Sequence, residues 1–136
     1  ACPSSCTCTA SIAFFNSTTV DCSFRSLTKL PIFMPSGCLY IDISLNSISI
    51  LHNRDYLNRA LSFNISTNKI LHVNADAVAR LQNVKFLDLS FNQLLSIPLS
   101  FRYNLFNKTE TIFLLGNEWK CSCANVWMGE WINTNS

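Results

Sequence analysis

The stretch VKFLDLSFNQLLSI, residues 84–97, places apolar residues at fixed offsets around a single asparagine, Asn92. Counted from this asparagine, the offsets −8, −5, −3, +2 and +5 hold Val84, Leu87, Leu89, Leu94 and Ile97. The pattern follows neither a simple helical period nor a simple strand period. It is typical of a short strand with two inward residues, followed by a turn whose asparagine points inward and bonds loop backbone.

Three further asparagines carry the same offsets, namely Asn46, Asn68 and Asn117, and the four are separated by 22, 24 and 25 residues. Their offset residues are Cys38, Ile41, Ile43, Ile48 and Leu51, then Ala60, Phe63, Ile65, Ile70 and Val73, then Thr109, Ile112, Leu114 and Trp119. Copies at this interval are the signature of leucine-rich repeats. The resemblance implies a short right-handed α/β solenoid with a parallel concave sheet, and the four asparagines are predicted to stack as an inward ladder.

The repeats divide the chain into three predicted parts: an N-terminal cap over residues 1–37, four repeats over 38–117, and an incomplete C-terminal cap over 118–136. Strands are expected near residues 40–44, 63–66, 86–90 and 112–115. Segments 52–59, 74–83 and 98–108 lie on the predicted convex side as short helical turns or coil, with Asn74 or Asp76 available as an N-cap.

The composition indicates a globular protein rather than a disordered one. The 136 residues are 49% hydrophobic and 13% charged, and ten basic against eight acidic residues leave a net charge of +2. This balance gives no extended field for nucleic acid or an anionic membrane. His52 and His72 have no obvious carboxylate or serine partners, so we predict neither catalysis nor a cofactor.

Seven cysteines indicate an oxidising compartment. Three N-x-[ST] sequons agree with secretion and begin at Asn16, Asn64 and Asn107. No signal peptide precedes Ala1 and no apolar run reaches transmembrane length, so we expect a mature secreted protein or part of an ectodomain.

The opening ACPSSCTC and a later cysteine resemble the N-terminal cap of extracellular leucine-rich repeat proteins. That resemblance implies the disulfides Cys2–Cys8 and Cys6–Cys22. Zinc is the alternative for these four residues, although no histidine pair or C-x2-C knuckle accompanies them. Between Cys8 and Cys22 the sequence predicts a hairpin with its turn at residues 16–19, and its second strand is expected to pair with the first repeat strand.

Cys38 makes the cysteine count odd and occupies the −8 offset of the first repeat. Because a free cysteine behaves as a small hydrophobe, we interpret it as an inert core thiol. A further disulfide or a reactive thiol are the alternatives.

The stretch GNEWKCSCANVWMGEWI, residues 116–132, resembles the start of a C-terminal cap, with Glu118 in place of the usual proline. Cys121 and Cys123 stand too close together for an unstrained mutual bond. An apolar face is predicted for Trp119, Val126, Trp127, Met128 and Trp131. We expect a separate piece bonded to the two thiols or self-association through this end, most simply as a two-fold dimer.

Outward positions on the concave sheet supply the candidate protein-binding residues Tyr40, Asp42, Phe86, Asp88, Phe91 and Phe113. The same register predicts that Asp42, Asn64, Asp88 and Phe113 lie side by side on neighbouring strands. Exposed aromatic patches favour interfaces. The alternative is that a cap or a glycan, such as one on Asn64, covers part of this face.

The segments LPIFMPSG, LYIDISLNSISIL and YLNRALSFNISTNKI, followed so soon by a cap, resemble the membrane-proximal block of invertebrate Toll receptors. The resemblance implies an innate-immune or developmental receptor that dimerises on a cysteine-knot cytokine and reaches the membrane through a segment outside this chain. An adhesion subunit of the platelet glycoprotein type, a jawless-vertebrate antigen receptor and a secreted matrix or carrier module are the alternatives.

Overall fold

The structure is a computed structural model that describes residues 1–10, 16–105 and 108–120. Its strands are β1 Thr7–Ala10, β2 Ser17–Asp21, β3 Cys38–Asp42, β4 Ile50–Leu51, β5 Ala60–Asn64, β6 His72–Val73, β7 Phe86–Asp88 and β8 Thr111–Phe113. Its helices are α1 Ala75–Arg80 and α2 Ser100–Asn104, and a 3-10 helix covers Asp55–Arg59.

Six strands form one sheet in the order β1-β2-β3-β5-β7-β8. The pair β1–β2 is antiparallel and every later pair is parallel. As expected, β2 joins the cap to the repeats, with Ser17 opposite Cys38 and Asp21 opposite Asp42. The cap and the repeats therefore share one sheet.

The repeat strands end earlier than predicted, at Asp42, Asn64 and Asp88. The reason is local, because each of these side chains accepts the backbone N–H two residues later. A backbone N–H that donates to a side chain cannot also donate to the backbone of the neighbouring strand, so the strand ends there.

The core consists mainly of the residues that the offsets point inward. In the first three repeats, the −5, −3 and +2 offsets are all buried, as Ile41, Ile43, Ile48, Phe63, Ile65, Ile70, Leu87, Leu89 and Leu94. In the fourth repeat Leu114 is buried, whereas Ile112 and Trp119 are only partly buried. The hydrophobic core thus thins toward the last described repeat.

The interpretation of Cys38 as a buried core thiol is wrong, because this side chain is exposed. Leu39 is fully buried in its place. The cause is a register shift, in which Leu39 faces Ala60 but Tyr40 already faces Ser62. The extra residue on β5 is a bulge, and a one-residue offset moves a side chain to the other face of a strand.

The predicted convex segments contain the 3-10 helix, α1 and α2. Asn74 caps α1, since its side-chain oxygen accepts from the backbone N–H of Asp76 at 2.8 Å and of Ala77 at 3.4 Å. The short parallel pair β4–β6, with Ile50 opposite His72, was not predicted.

The 3-10 helix and its flank hold the loop that leads into β3. Tyr56 donates its hydroxyl to the carbonyl oxygen of Pro31 at 2.7 Å, and burial raises the pKa of this phenol. Arg54 donates to the same carbonyl at 3.2 Å. Arg59 donates to the carbonyls of Pro35 and Gly37. These bonds satisfy loop carbonyls that no strand reaches.

The N-terminal cap contains the disulfides Cys2–Cys8 and Cys6–Cys22, the same pairs that the resemblance implies. The hairpin differs from the prediction, since residues 17–19 belong to β2 rather than to a turn. Pairing with β3 requires these residues to be extended.

Several predictions fall on residues outside the described ranges. They concern the apolar hairpin strand before Asn16, the sequon at Asn107, the cap face after Lys120, and Cys121 and Cys123. Self-association through the C-terminal end stays a prediction. Across the described residues, no helix combines the length and apolar character needed to cross a membrane.

Candidate protein-binding surface

The asparagine ladder fixes the turns that frame the concave sheet. Asn68 donates its side-chain amide to the carbonyls of Ile43, Ile65 and Ser66, and its oxygen accepts from the N–H of Ile48 at 3.0 Å. Each of the four asparagines bonds its own turn and the preceding one. The remaining bonds in this ladder belong to Asn46, Asn92 and Asn117.

A second repeated turn lies at the ends of β2, β3, β5 and β7, where an aspartate or asparagine is followed two residues later by serine. The side-chain oxygens of Asp42 and Asn64 accept the backbone N–H of Ser44 and Ser66 at 2.9 and 3.0 Å. At Asp42 the serine hydroxyl donates as well, at 2.6 Å. Asp21 and Asp88 make the same two bonds with Ser23 and Ser90.

These bonds change the acidity of the first carboxylate in the series. Hydrogen bonds from the hydroxyl and then the backbone N–H of Ser23 lower the pKa of Asp21. Because the folded state holds this pKa below its ordinary value, the bonds stabilise the fold at neutral pH, and that contribution is lost as the pH falls through the lowered pKa.

The strand register aligns these residues in one row. Asp21 lies opposite Asp42, Asp42 opposite Asn64, Asn64 opposite Asp88, and Asp88 opposite Phe113. We call this row the carboxylate column, because three of its members are aspartates. The column runs from β2 to β8, across neighbouring strands that are about 4.8 Å apart.

An aromatic pair lies at the C-terminal end of the sheet. The rings of Phe86 and Phe113 have centroids 5.4 Å apart and planes inclined at 69°, an edge-to-face contact. Phe113 is 46% exposed and Phe86 is half-buried. The two side chains come from neighbouring strands and stand beside Asp88.

Phe91, which was also predicted as an outward residue of the concave sheet, does not lie on a strand with this pair. It follows the turn at Asp88, has a backbone φ of 55°, and is 56% exposed. Its ring lies against Gly116, where an added Cβ would be 2.5 Å from a ring carbon. Tyr40, the remaining predicted aromatic, is half-buried between Thr19 and Ser62 in the register.

The two described sequons have different surroundings. Asn16 is exposed, has a φ of 55°, and lies against Gly37. Asn64 is half-buried in the carboxylate column, and its side-chain oxygen is used by the Ser66 N–H. The corresponding turns at the aspartates use only a side-chain oxygen as the acceptor. Asparagine can therefore form the same turn, and its side-chain amide nitrogen is not needed for it.

One feature of the surface was not predicted from the sequence. Residues with positive φ recur immediately before each ladder asparagine, as Leu45, Thr67, Phe91 and Gly116, and Phe24 occupies the corresponding position of the cap, before Arg25. The alignment of the repeats shows that the position before each asparagine is never inward. It does not show the positive φ at that position, because this backbone conformation has no periodic signature in the sequence.

Comparisons with known proteins agree with this architecture. Residues 1–35 match the family model for the leucine rich repeat N-terminal domain. Leucine-rich repeat-containing protein 3 from Danio rerio is 31% identical over 127 residues, which are 91% of this chain and 46% of that protein. Tsukushi from Xenopus tropicalis is 32% identical over 89 residues, 62% of this chain and 25% of that protein.

A shorter similarity joins 55 residues to Immunoglobulin superfamily member 10 from Rattus norvegicus, at 40% identity over 38% of this chain and 2% of that protein. The chain thus spans about half of the first relative and a quarter of the second. Together the similarities support an extracellular leucine-rich repeat protein with a solenoid-like repeat fold. They also support a protein-interaction module and are consistent with a protein that is not an enzyme.

Proposed function

We propose that this chain is the partner-binding part of an extracellular leucine-rich repeat protein, and that it binds a protein through the Phe86–Phe113 end of the concave sheet. The observation that carries the proposal is the edge-to-face pair beside Asp88, in which Phe113 is exposed and Phe86 is half-buried. Aromatic side chains give large contact area at low entropy cost and are enriched among residues that dominate binding energy.

The position of the pair supports this choice. Backbone pairing of two strands places the two residues side by side before a partner arrives. A preordered site loses less entropy on binding. The neighbouring carboxylate of Asp88 supplies a charged group whose geometry is fixed by Ser90.

Replacing both phenylalanines with serine is expected to weaken partner binding by about thirtyfold or more, the loss typical of a dominant interface residue. The test uses secreted protein and peptides selected from a random display library on the wild-type chain. Binding is measured by fluorescence anisotropy, and circular dichroism checks that Phe86→Ser/Phe113→Ser remains folded.

Phe33→Ser is the matched control, because Phe33 is 60% exposed and lies in the loop before β3 rather than on the sheet. It is expected to leave binding unchanged. Equal losses in both variants, or no loss in the double variant, would reject the aromatic pair as the binding surface.

A glycan on Asn64 would limit the concave face to this end. Asn64 is expected to be modified in secreted protein, because it lies in a sequon and offers an amide nitrogen that its turn does not require. Mass spectrometry of the peptide that contains it checks the prediction. Asn64→Asp is the matched control, since the turns at Asp42 and Asp88 show that the fold accepts an aspartate at this position. An unmodified Asn64 would contradict the prediction and leave the whole concave face open to a partner.

Two versions of the proposal differ in what the rest of the protein does. One is a Toll-type receptor ectodomain that dimerises on a cysteine-knot cytokine, as the sequence resemblance implies. The other is a secreted or adhesion protein, which the similarities fit equally well. Transcript sequence beyond Ser136 separates them: an apolar 20-mer followed by a signalling domain supports the receptor version, and an early stop codon rejects it.

A further inference from the structure

A cleft lies on the helical, convex side of the repeats, which is the side opposite the concave sheet. It has a volume of about 480 Å³ and is open to solvent. Ligand sites in proteins commonly have volumes of about 300–1,000 Å³, so the cleft has room for a ligand of one or two six-membered rings. Its lining residues are Asn53, Asn58, Asp76, Ala79, Arg80 and Gln82.

Two elements from neighbouring repeats form the walls of this cleft. One wall is the 3-10 helix with its N-terminal flank, and the other is α1 with the turn that follows it. The Asn83 side chain donates to the backbone carbonyl of Asn58 at 2.7 Å, and Arg80 Nη2 lies 3.7 Å from a carboxylate oxygen of Asp55. Both contacts join one wall to the other. The cleft is therefore built by tertiary contacts between repeats rather than by a single loop.

Three of the lining residues carry carboxamide side chains that make no hydrogen bond to the rest of the described chain. They are Asn53, Asn58 and Gln82. The side-chain oxygen of Asn53 is buried as well, and a buried acceptor without a partner is unusual in a folded protein. A half-turn of this amide would exchange its oxygen with its nitrogen. The three carboxamides thus offer donors and acceptors that the fold does not use.

The charged groups that line the cleft balance one another. Asp76 contributes one carboxylate and Arg80 one guanidinium, which contacts Asp55 through one nitrogen and keeps further N–H donors. The surrounding elements also carry His52, Arg54, Arg59, Lys85 and Arg102. Of these, Arg54 and Arg59 already donate to carbonyls of the loop before β3. No cluster of one charge lines the cleft, so recognition there rests on hydrogen bonds to neutral groups.

We propose that the cleft between the 3-10 helix and α1 binds a neutral carbohydrate. A sugar hydroxyl donates one hydrogen bond and accepts others, so it matches a carboxamide, which presents a donor and an acceptor in one plane. Asp76 adds an acceptor and Arg80 adds donors. The sugar belongs to a glycoprotein or to a polysaccharide, since both present the same hydroxyl groups. The site shares no residue with the Phe86–Phe113 pair, so either proposal can fail without the other.

Binding of the secreted protein to a glycan array tests this proposal. The array carries neutral N-glycans, neutral polysaccharide fragments, and sialylated and sulfated glycans. The protein is first treated with an endoglycosidase, so that its own glycans neither occupy nor cover the cleft. We expect a neutral glycan to bind, and isothermal titration calorimetry with that glycan measures its Kd. Binding confined to N-glycans would indicate a glycoprotein partner, and binding confined to polysaccharide fragments would indicate a polysaccharide.

Two variants of the cleft test its location. Ala79→Phe is expected to abolish detectable binding, because the ring would fill the cleft while every polar lining group remains. Asn58→Ala/Gln82→Ala is expected to weaken binding by about tenfold, the effect of losing two hydrogen-bonding side chains. All three side chains are exposed, so we expect these variants to fold, and thermal unfolding checks that.

Gln93→Ala/Ser96→Ala is the matched control, because both side chains are polar and exposed but lie outside the cleft. It is expected to leave glycan binding unchanged. Phe86→Ser/Phe113→Ser is also expected to keep glycan binding, which separates this site from the proposed function. The absence of binding to any neutral glycan, binding that requires sialic acid or sulfate, or unchanged binding by either cleft variant would overturn the proposal.

Discussion

Replacing Asn92 with leucine is expected to lower the free energy of unfolding by about 1–3 kcal/mol, because the buried Ile70 N–H loses its partner. The carbonyls of Ile65 and Leu89 each lose one donor and keep their bonds to Asn68 and Asn117. The Asn92 amide donates to the carbonyls of Ile65 at 3.1 Å and Leu89 at 3.0 Å, and its oxygen accepts from the N–H of Ile70 at 3.1 Å. Asn92 is only 5% exposed, so water cannot readily replace these bonds. Leucine has a similar size but no polar group to offer.

Urea unfolding followed by circular dichroism measures this loss. Asn117→Leu is the graded comparison, since Asn117 makes similar bonds but is only half-buried and should cost less. Asn74→Ala tests an asparagine outside the ladder and should cost about 1 kcal/mol, the usual value of an N-cap. A midpoint for Asn92→Leu equal to that of the wild type would contradict the ladder as a source of stability.

The sequence was sufficient to predict the inward residues at the −5, −3 and +2 offsets of the first three repeats, all of which are buried. It failed at Cys38 for a physical reason that the repeat pattern does not contain. The bulge on β5, opposite Leu39 and Tyr40, depends on how β3 meets β5, and a pairing between strands is a tertiary property. The two-residue strands β4 and β6 were missed because such short strands have no periodicity of their own.

The part of the candidate site that depends on the register between strands could be predicted from the sequence. The alignment of Asp42, Asn64, Asp88 and Phe113 was predicted by counting from the ladder asparagines, and the structure has the same pairs. The position of Phe91 was not predictable in this way. The strand ends at Asp88 because a serine N–H is captured there, and the chain then turns with positive φ. The pairing of the cap cysteines rested on resemblance, since spacing alone leaves several connectivities open.

The N-terminal disulfide Cys6–Cys22 is expected to contribute more stability than Cys2–Cys8, although both belong to the same cap. Cys6–Cys22 spans 16 residues and Cys2–Cys8 spans 6. A longer closed loop removes more entropy from the unfolded chain. Cys22 is also fully buried, and its carbonyl accepts from the Asn46 side chain at 2.9 Å. This disulfide therefore holds the first rung of the ladder in place.

The double variant Cys6→Ala/Cys22→Ala is expected to lose about 2–5 kcal/mol of unfolding free energy, the usual cost of removing a native disulfide from a small secreted domain. Hydrogen exchange should show where the loss begins. Amides of β2 are expected to exchange first, because β2 covers the open edge of β3, while amides of β7 should stay protected until global unfolding. Cys2→Ala/Cys8→Ala is the control and should cost less. Equal costs for the two variants, or equal exchange of β2 and β7, would mean that the cap and the repeats unfold as one unit and that the buried disulfide has no special role at their junction.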